Sequence, residues 1–515
     1  MSIRKKTIVS ILWMAMVIAM GLATLFAAVS HAADEELQKK VEALSQEVES
    51  LKRQAAESRP AAAPGKSISD WLSIGGDYRF RVDSLRGKIP DYFQFVPVPP
   101  NGTVFAVPGD TVKNDILYTN RFGLDLKAKA TRNVTVTARL LMYKTFGNND
   151  TAATTGTFFA DRLGVFDGTA GHVPDDGKLL VDQVFATWTN ILDQPVWFSV
   201  GRRPSTGGIP THIRQNREKP GNAGVPGLLV DYAFDGMTLG VAPDIEALPG
   251  AYAKLCYGRG FENGFTTSTS SNNGLKDTDM IGVSVVPYDV DKLYINLQWN
   301  RGMHIFDFPV MQSSTIGPTR PQTNVGDIDW YGITVLSTLK KVGPGSLNVF
   351  AAGGLSKTHP NGNTVQFAGV ETGAGLGFSN FQNESKTGEA IYAGARYDYA
   401  RTRTKIGAEY NYGTKNWIPF VPAADDIWTS KLGARGSVYE AYLIQEFNLP
   451  PVSSYLSKTF VRLGYQYYDF KYTGSDNWIG APVKIADLSA GPQNAQLLTP
   501  LKDAHDIYAT LEVKF

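Results

Sequence analysis

The chain has 515 residues, 51 of them glycine, with 11% aromatic and only 19% charged residues, below the roughly 25% of soluble domains. A formal net charge of +1 gives no electrostatic footprint for a nucleic-acid partner, and the single cysteine, Cys256, excludes an internal disulfide and a cysteine-built zinc site. Mean hydropathy is mildly polar, which excludes a bundle of membrane helices.

The N-terminus opens with the basic residues Arg4, Lys5 and Lys6, followed by an apolar stretch to about Val29. Ser30-His31-Ala32 then offers small residues where a signal peptidase reads. A cleavable signal peptide over 1–32 is expected, in preference to a permanent anchor. In the next segment, 33–57, Leu37, Val41, Leu44, Val48 and Leu51 follow the four-three spacing of a heptad seam, with Glu47 and Lys52 at flanking positions. So short a seam is marginal alone. It reads as a periplasmic coiled-coil stalk that trimerises the chain or touches the cell wall; docking of the helix on its own protein is the alternative. Residues 58–70, with Pro60 and Pro64 among alanines, form a semi-stiff linker.

From Trp71 the hydrophobic period becomes two and stays there to the end. In 118–130, Tyr118, Phe122, Leu124, Leu126, Ala128 and Ala130 share one face, broken by Asn120, while Arg121, Asp125, Lys127 and Lys129 lie on the other. Similar segments recur, each long enough to cross a bilayer as a tilted strand. Short connections are expected at 131–133, 190–195, 287–291, 340–346, 400–403 and 448–457. Long polar ones are expected at about 86–115, 145–178, 204–226, 262–277, 302–327, 358–387, 414–435 and 473–502. One-sided long loops mark a barrel of the outer membrane, with tight turns on the periplasmic side. Both ends of such a chain face the periplasm, so the strand number is even. The ambiguous stretch is 228–261. Either Asp235-Gly236 is a hairpin turn and 243–250 interrupts one strand, or Asp235-Gly236 is a bulge and 247–250 is the turn. Both give sixteen strands. The fold expected is all-β: a 16-stranded antiparallel transmembrane β-barrel over 71–515, preceded by a short N-terminal coiled-coil helix.

The last residues alternate as well. Ile507, Ala509, Leu511, Val513 and Phe515 form a dry face that meets lipid, and the strand is expected to close on the first near Ile74–Val82, because an open edge in lipid is too costly. Sixteen strands leave room for an aqueous channel. The inward charges expected to line it are Arg79, Arg81, Arg121, Asp125, Lys127, Lys129, Arg139, Arg396, Lys405, Glu409, Arg462, Glu512 and Lys514, with Asp77 and Asp83 beside them. The set is mixed, with a basic tilt in the N-terminal strands that favours anions weakly. The third long loop is more basic still, carrying Arg202, Arg203, His212, Arg214, Arg217 and Lys219 against Glu218. It either lies on the surface with solvated charges or enters the lumen.

No enzyme is expected. Neither HExxH nor GxSxG occurs, the acids of 167–177 lack calcium-loop spacing, and 373–377 is not a nucleotide-binding glycine motif. No cofactor is expected either.

The layout resembles Gram-negative porins, and the combination of signal peptide, coiled coil and sixteen strands resembles the phosphate-selective and related trimeric porins. GGDYRFRVDSL (75–85) and VGRRPSTGGIPTHIRQN (200–216) resemble motifs of a porin-like family of deltaproteobacteria. These resemblances imply a homotrimer in outer-membrane lipid, a third loop that folds inward as a basic constriction, and a terminal Phe515 recognised by the barrel-assembly machinery. They transfer no substrate-binding residue. The function expected is a porin for passive diffusion of small hydrophilic solutes or ions. Two alternatives stay open: a barrel sheath around a partner such as a multihaem cytochrome, and an envelope tether acting through 35–57.

Overall fold

The computed structural model describes residues 68–515 apart from 148–173, 175–176, 206, 222–223, 266–273, 309–318, 368, 422–425 and 451–456. The expected signal peptide, the coiled-coil segment and 58–67 of the linker lie outside the described residues.

Sixteen strands close into one antiparallel barrel, each hydrogen-bonded to its neighbours in chain order. The first eight are β1 (Leu72–Ile89), β2 (Asp110–Lys129), β3 (Val134–Thr145), β4 (Leu180–Trp188), β5 (Val196–Ser205), β6 (Tyr232–Val241), β7 (Tyr252–Phe261) and β8 (Thr278–Val290). The ring continues through β9 (Leu293–Phe306), β10 (Asn324–Val342), β11 (Gly345–Pro360), β12 (Thr387–Tyr399), β13 (Thr404–Gly413), β14 (Gly436–Glu446), β15 (Lys458–Phe470) and β16 (Asp503–Lys514). Connections are short at one end of the barrel and long at the other, as the alternation of turn chemistry requires. Among the long ones, 90–109 holds the hairpin Tyr92–Val96 with Thr103–Val107.

Neither expected alternative for 228–261 is adopted as stated. β6 runs through Asp235-Gly236 with unbroken register to β5 and β7, so there is neither a turn nor a bulge there. The turn lies at 242–251, which contains the expected 247–250. Gly236 is needed for close strand approach, because a Cβ would fall 2.0 Å from the Tyr257 carbonyl oxygen.

The ring closes between β1 and β16, paired from Asp77–Lys514 to Lys88–Asp503. Phe515 extends the ladder: the Gly76 N–H donates to its carbonyl at 2.9 Å, and its own N–H donates to Gly76 O at 3.0 Å. The final aromatic is therefore a paired residue of the wall.

Alternation sorts the side chains. Ile74, Tyr118, Val184, Leu239, Leu255, Leu297, Ile406, Leu463 and Ile507 stand exposed on the outer surface, from strands all around the ring. A continuous apolar exterior of this size marks a lipid or protein contact surface. Near the long-loop end an in-register row crosses four strands as Tyr410–Tyr439–Tyr467–His505. Its ring centroids are 5.1, 6.4 and 4.9 Å apart. Aromatic rows at this height form the girdles of transmembrane barrels.

Candidate functional site

The interior is divided. Along β5–β12 it is dry, and along β12–β16 it is ionic and buried. Solvent reaches the inner face at the short-turn end of β2.

The dry part is built by long connections that turn inward. The described residues of 207–231 and 414–435 meet as a parallel bridge between Val230 and Phe420. There Phe420 N donates to Leu229 O and Asp231 N to Phe420 O, both at 2.8 Å. The Phe420 ring stands edge-on to Trp330 of β10, centroids 4.7 Å apart, and stacks on Trp478 from 471–502 at 6.0 Å. Three buried indole N–H groups find backbone carbonyls: Trp330 donates to Ile418 O at 2.6 Å, Trp417 to Leu432 O at 2.8 Å and Trp478 to Phe306 O at 2.8 Å. Inward glycines make the room. A Cβ on Gly332 would lie 2.5 Å from Leu229, and one on Gly354 2.7 Å from Trp417.

The ionic part joins the same two connections to the opposite wall. Within 206–231 the single-turn helix α1 (Thr211–Arg214) leaves carbonyls without intrahelical partners at its C-terminal end. Cationic side chains from distant strands reach the carbonyls of this turn, of which Ile213 O also accepts from Asn216 N at 3.2 Å. Arg396 of β12 donates to Ile213 O, and Arg462 of β15 donates to Arg214 O at 2.9 Å. Lys514 of β16 donates to Asn216 O at 2.7 Å, while Lys405 of β13 reaches the Asn216 side chain at 2.7 Å. On the near side Lys219 pairs with Asp289 of β8. Residues 211–219 thus span the lumen close to the short-turn end.

Arg214 itself pairs with Asp426 at 2.6 Å and with Glu440 of β14 at 3.1 Å. Lys431 lies between Glu440, at 2.6 Å, and Glu409 of β13. Tyr392 and Tyr508 donate to Glu409 and Glu440, both at 2.6 Å. Arg462 pairs with Glu512 at 3.1 Å, and Arg81 pairs with Asp83 at 2.6 Å and Asp506 at 2.9 Å. With these charges out of water, removing one partner costs about 3–5 kcal/mol, because the other stays buried and uncompensated.

His212 is buried next to this crossing. Burial, with Arg396 and Lys219 nearby, pushes its pKa down from 6.5 to about 3. As pH falls below the ordinary histidine value, an undocked loop takes up a proton that the docked loop refuses. Docking is therefore fully stable above about pH 6.5 and weakens progressively towards pH 3. Protease cleavage within 206–231 is expected to rise between pH 7 and pH 4, and His212→Gln is expected to flatten that rise.

The third region is open. On β2, Asp125, Lys127 and Lys129 of the inner face are exposed to solvent. Behind them Arg139 pairs with Asp77 at 2.5 Å and Asp125 at 2.8 Å, and Arg121 lies 3.7 Å from Asp77. Arg79 is buried on the same wall, with its guanidinium over the Tyr143 ring at 5.2 Å.

The sequence-predicted residues thus fall into separate groups. Arg79, Arg121, Asp125, Lys127 and Arg139 stand together on β1–β3. Arg81 faces Asp506, and Arg396, Lys405, Glu409 and Arg462 face the inward connections. Arg202 and Arg203 belong to β5, not to the loop after it. There Arg203 is buried beside Ser199 and Thr238, while Arg202 points to the other face, 3.5 Å from Asp235. His212, Arg214 and Lys219 are in the inward crossing, as is Arg217, which acts on Asp77 and Lys514 through its charge. Sequence reading missed 414–435 as an interior element. Its signal was present: Trp417, Ile418, Phe420, Val421, Ile427 and Trp428 are too apolar for a solvated loop.

Solved structures similar to this chain are outer-membrane barrels. OmpT of Vibrio cholerae has a TM-score of 0.39 at 12% identity, over 86% of this chain and 97% of that one. OmpF of Salmonella typhi, in complex with daunomycin, has a TM-score of 0.39 at 10% identity, over 86% and 97%. An anion-selective porin from Comamonas acidovorans has a TM-score of 0.38 at 9% identity, over 86% and 99%. No curated protein matches the sequence. The profile of the family described as "Protein of unknown function (DUF3373)" matches residues 111–515, and the chain belongs to that family.

Proposed function

We propose that the protein is an outer-membrane channel of the porin type, narrowed by its own inward connections, that passes small hydrophilic solutes or ions by passive diffusion. The observation that carries this reading is the set of solvent-exposed inner charges Asp125, Lys127 and Lys129 at the short-turn end of β2, inside a closed barrel with an apolar exterior. The short turns face the periplasm and the long connections face outward. The path runs along β1–β3, past Arg121, Lys127, Lys129 and Arg139 against Asp77 and Asp125. This surplus of cations favours anions weakly. Resemblance to trimeric porins supports a homotrimer, with 33–57 as a periplasmic stalk. Phe515, already paired in the closing ladder, serves as the signal for the assembly machinery.

A sheath around a second protein is disfavoured, because a guest would need the lumen that 206–231 and 414–435 occupy. The charge reading has its own test. Lys127→Glu with Lys129→Glu is expected to shift the reversal potential in a salt gradient towards cations, with little change in conductance. An unshifted potential would place the ion path elsewhere.

A further inference from the structure

The outer surface at the long-loop end differs around the ring. On β5–β11 its charges neutralise one another. Arg202, Asp235, Arg259 and Asp279 stand in register on four adjacent strands, and Arg301, Asp329 and Lys357 continue the alternation on the next three. Arg259 meets Asp279 at 2.9 Å, and Arg301 meets Asp327 at 2.8 Å.

On the far side, between β1, β15 and β16, the balance changes. A cleft of about 730 Å³ is lined by Lys88, Lys471, Lys484 and Lys502. Its three acids, one fewer than its lysines, are Asp91, Asp110 and Asp469. Asp469 pairs with Lys471 at 2.7 Å, while Asp91 accepts from Gly109 N and Asp110 from Thr111 N, both at 2.6 Å. Lys88 lies 3.8 Å from Asp503 and keeps more than half of its side chain exposed. Among the described residues no carboxylate pairs with Lys484 or Lys502, and both are exposed. The cleft therefore holds spare ammonium donors.

Its height is set by the aromatic row. Tyr467 pairs with His505, His505 with Arg86, and Asp503 with Lys88 one repeat nearer the long-loop end. Rings at the bilayer interface put acyl chains below and lipid headgroups beside the lysines. Phosphate groups are what spare lysines at that depth attract.

We infer that this cleft holds the phosphorylated headgroup of an outer-leaflet lipid, with its acyl chains lying over the Tyr410–His505 row. The inference rests on the reading of the chain as an outer-membrane barrel. Its test uses the full-length protein in nanodiscs of phosphatidylcholine doped with a bis-phosphorylated acylated disaccharide. Retained lipid is counted by native mass spectrometry. Lys484→Gln with Lys502→Gln is expected to lower retention by on the order of tenfold, from the loss of two lysine–phosphate contacts. Lys340→Gln, an exposed lysine on the short-turn side paired with Asp291, is expected to leave it unchanged, as is the dephosphorylated lipid's own weak retention in either protein. Equal loss in the Lys340 variant, or unaltered retention in the double variant, would overturn the inference. So would complete displacement by millimolar inorganic phosphate, which would make the cleft a free-anion site. The double variant should conduct like the wild type. Absent conductance in the wild type would instead count against the channel reading.

Discussion

Lys431→Met is expected to undock the interior plug and raise single-channel conductance several-fold. Lys431 is the cation held between Glu409 and Glu440, and it is 2% exposed. Methionine keeps much of the stem but strips Glu409 of its ammonium partner and leaves Glu440 with Arg214. The expected cost is about 3–5 kcal/mol, set by uncompensated buried charge more than by lost attraction. The loss falls on docking of 414–435, because the ladder hydrogen bonds of the wall are untouched. Heat-modifiable mobility of the barrel should persist. Adding Glu409→Gln should restore part of the closed behaviour, since it removes one stranded charge. A Lys431→Met channel indistinguishable from the wild type would show that the network does not hold the plug.

Phe420→Ala attacks the same plug through its dry half. The ring lies among Trp330, Trp478 and Phe234, and two backbone hydrogen bonds flank it. Truncation leaves a cavity that rigid indoles and a strand wall cannot collapse, which costs about 3–5 kcal/mol. The measurable outcome is faster protease cleavage within 414–435, together with a conductance increase like that of Lys431→Met. If 206–231 and 414–435 move as one body, the double variant should open the lumen no further than either single variant, since contacts in one network are not additive. Full additivity would mean two independent gates.

Much of the wall was legible because a barrel writes its period into every strand. The face carrying Phe515, Val513 and Leu511 is apolar, and the face carrying Glu512 and Asp506 is polar. The two solvents meet the strand on alternate residues, so no tertiary knowledge is needed. Loop placement followed from turn chemistry for the same local reason. The count needed parity at 228–261, where Gly236 looks like a turn or a bulge but serves a close approach to Tyr257.

The interior was much less legible. Alternation shows that Arg396 and Arg462 point inward, but what they meet is decided by loops more than 180 residues away in sequence. Glu409 resembles any lumen carboxylate until Lys431 is placed upon it. The aromatic content of 414–435 was the stronger local hint that a long connection buries itself. Gly332 and Gly354 were a second, weaker hint, since an inward glycine in a strand leaves room for something else to approach.

A porin-type channel requires a conducting path past β2 beside the plug. The direct measurement is single-channel current of the refolded full-length protein in a planar bilayer under a salt gradient. Discrete open steps are expected, grouped in threes for a trimer, with a reversal potential of the sign given by a weak anion preference. A folded, heat-modifiable barrel that inserts and never conducts would contradict the channel reading.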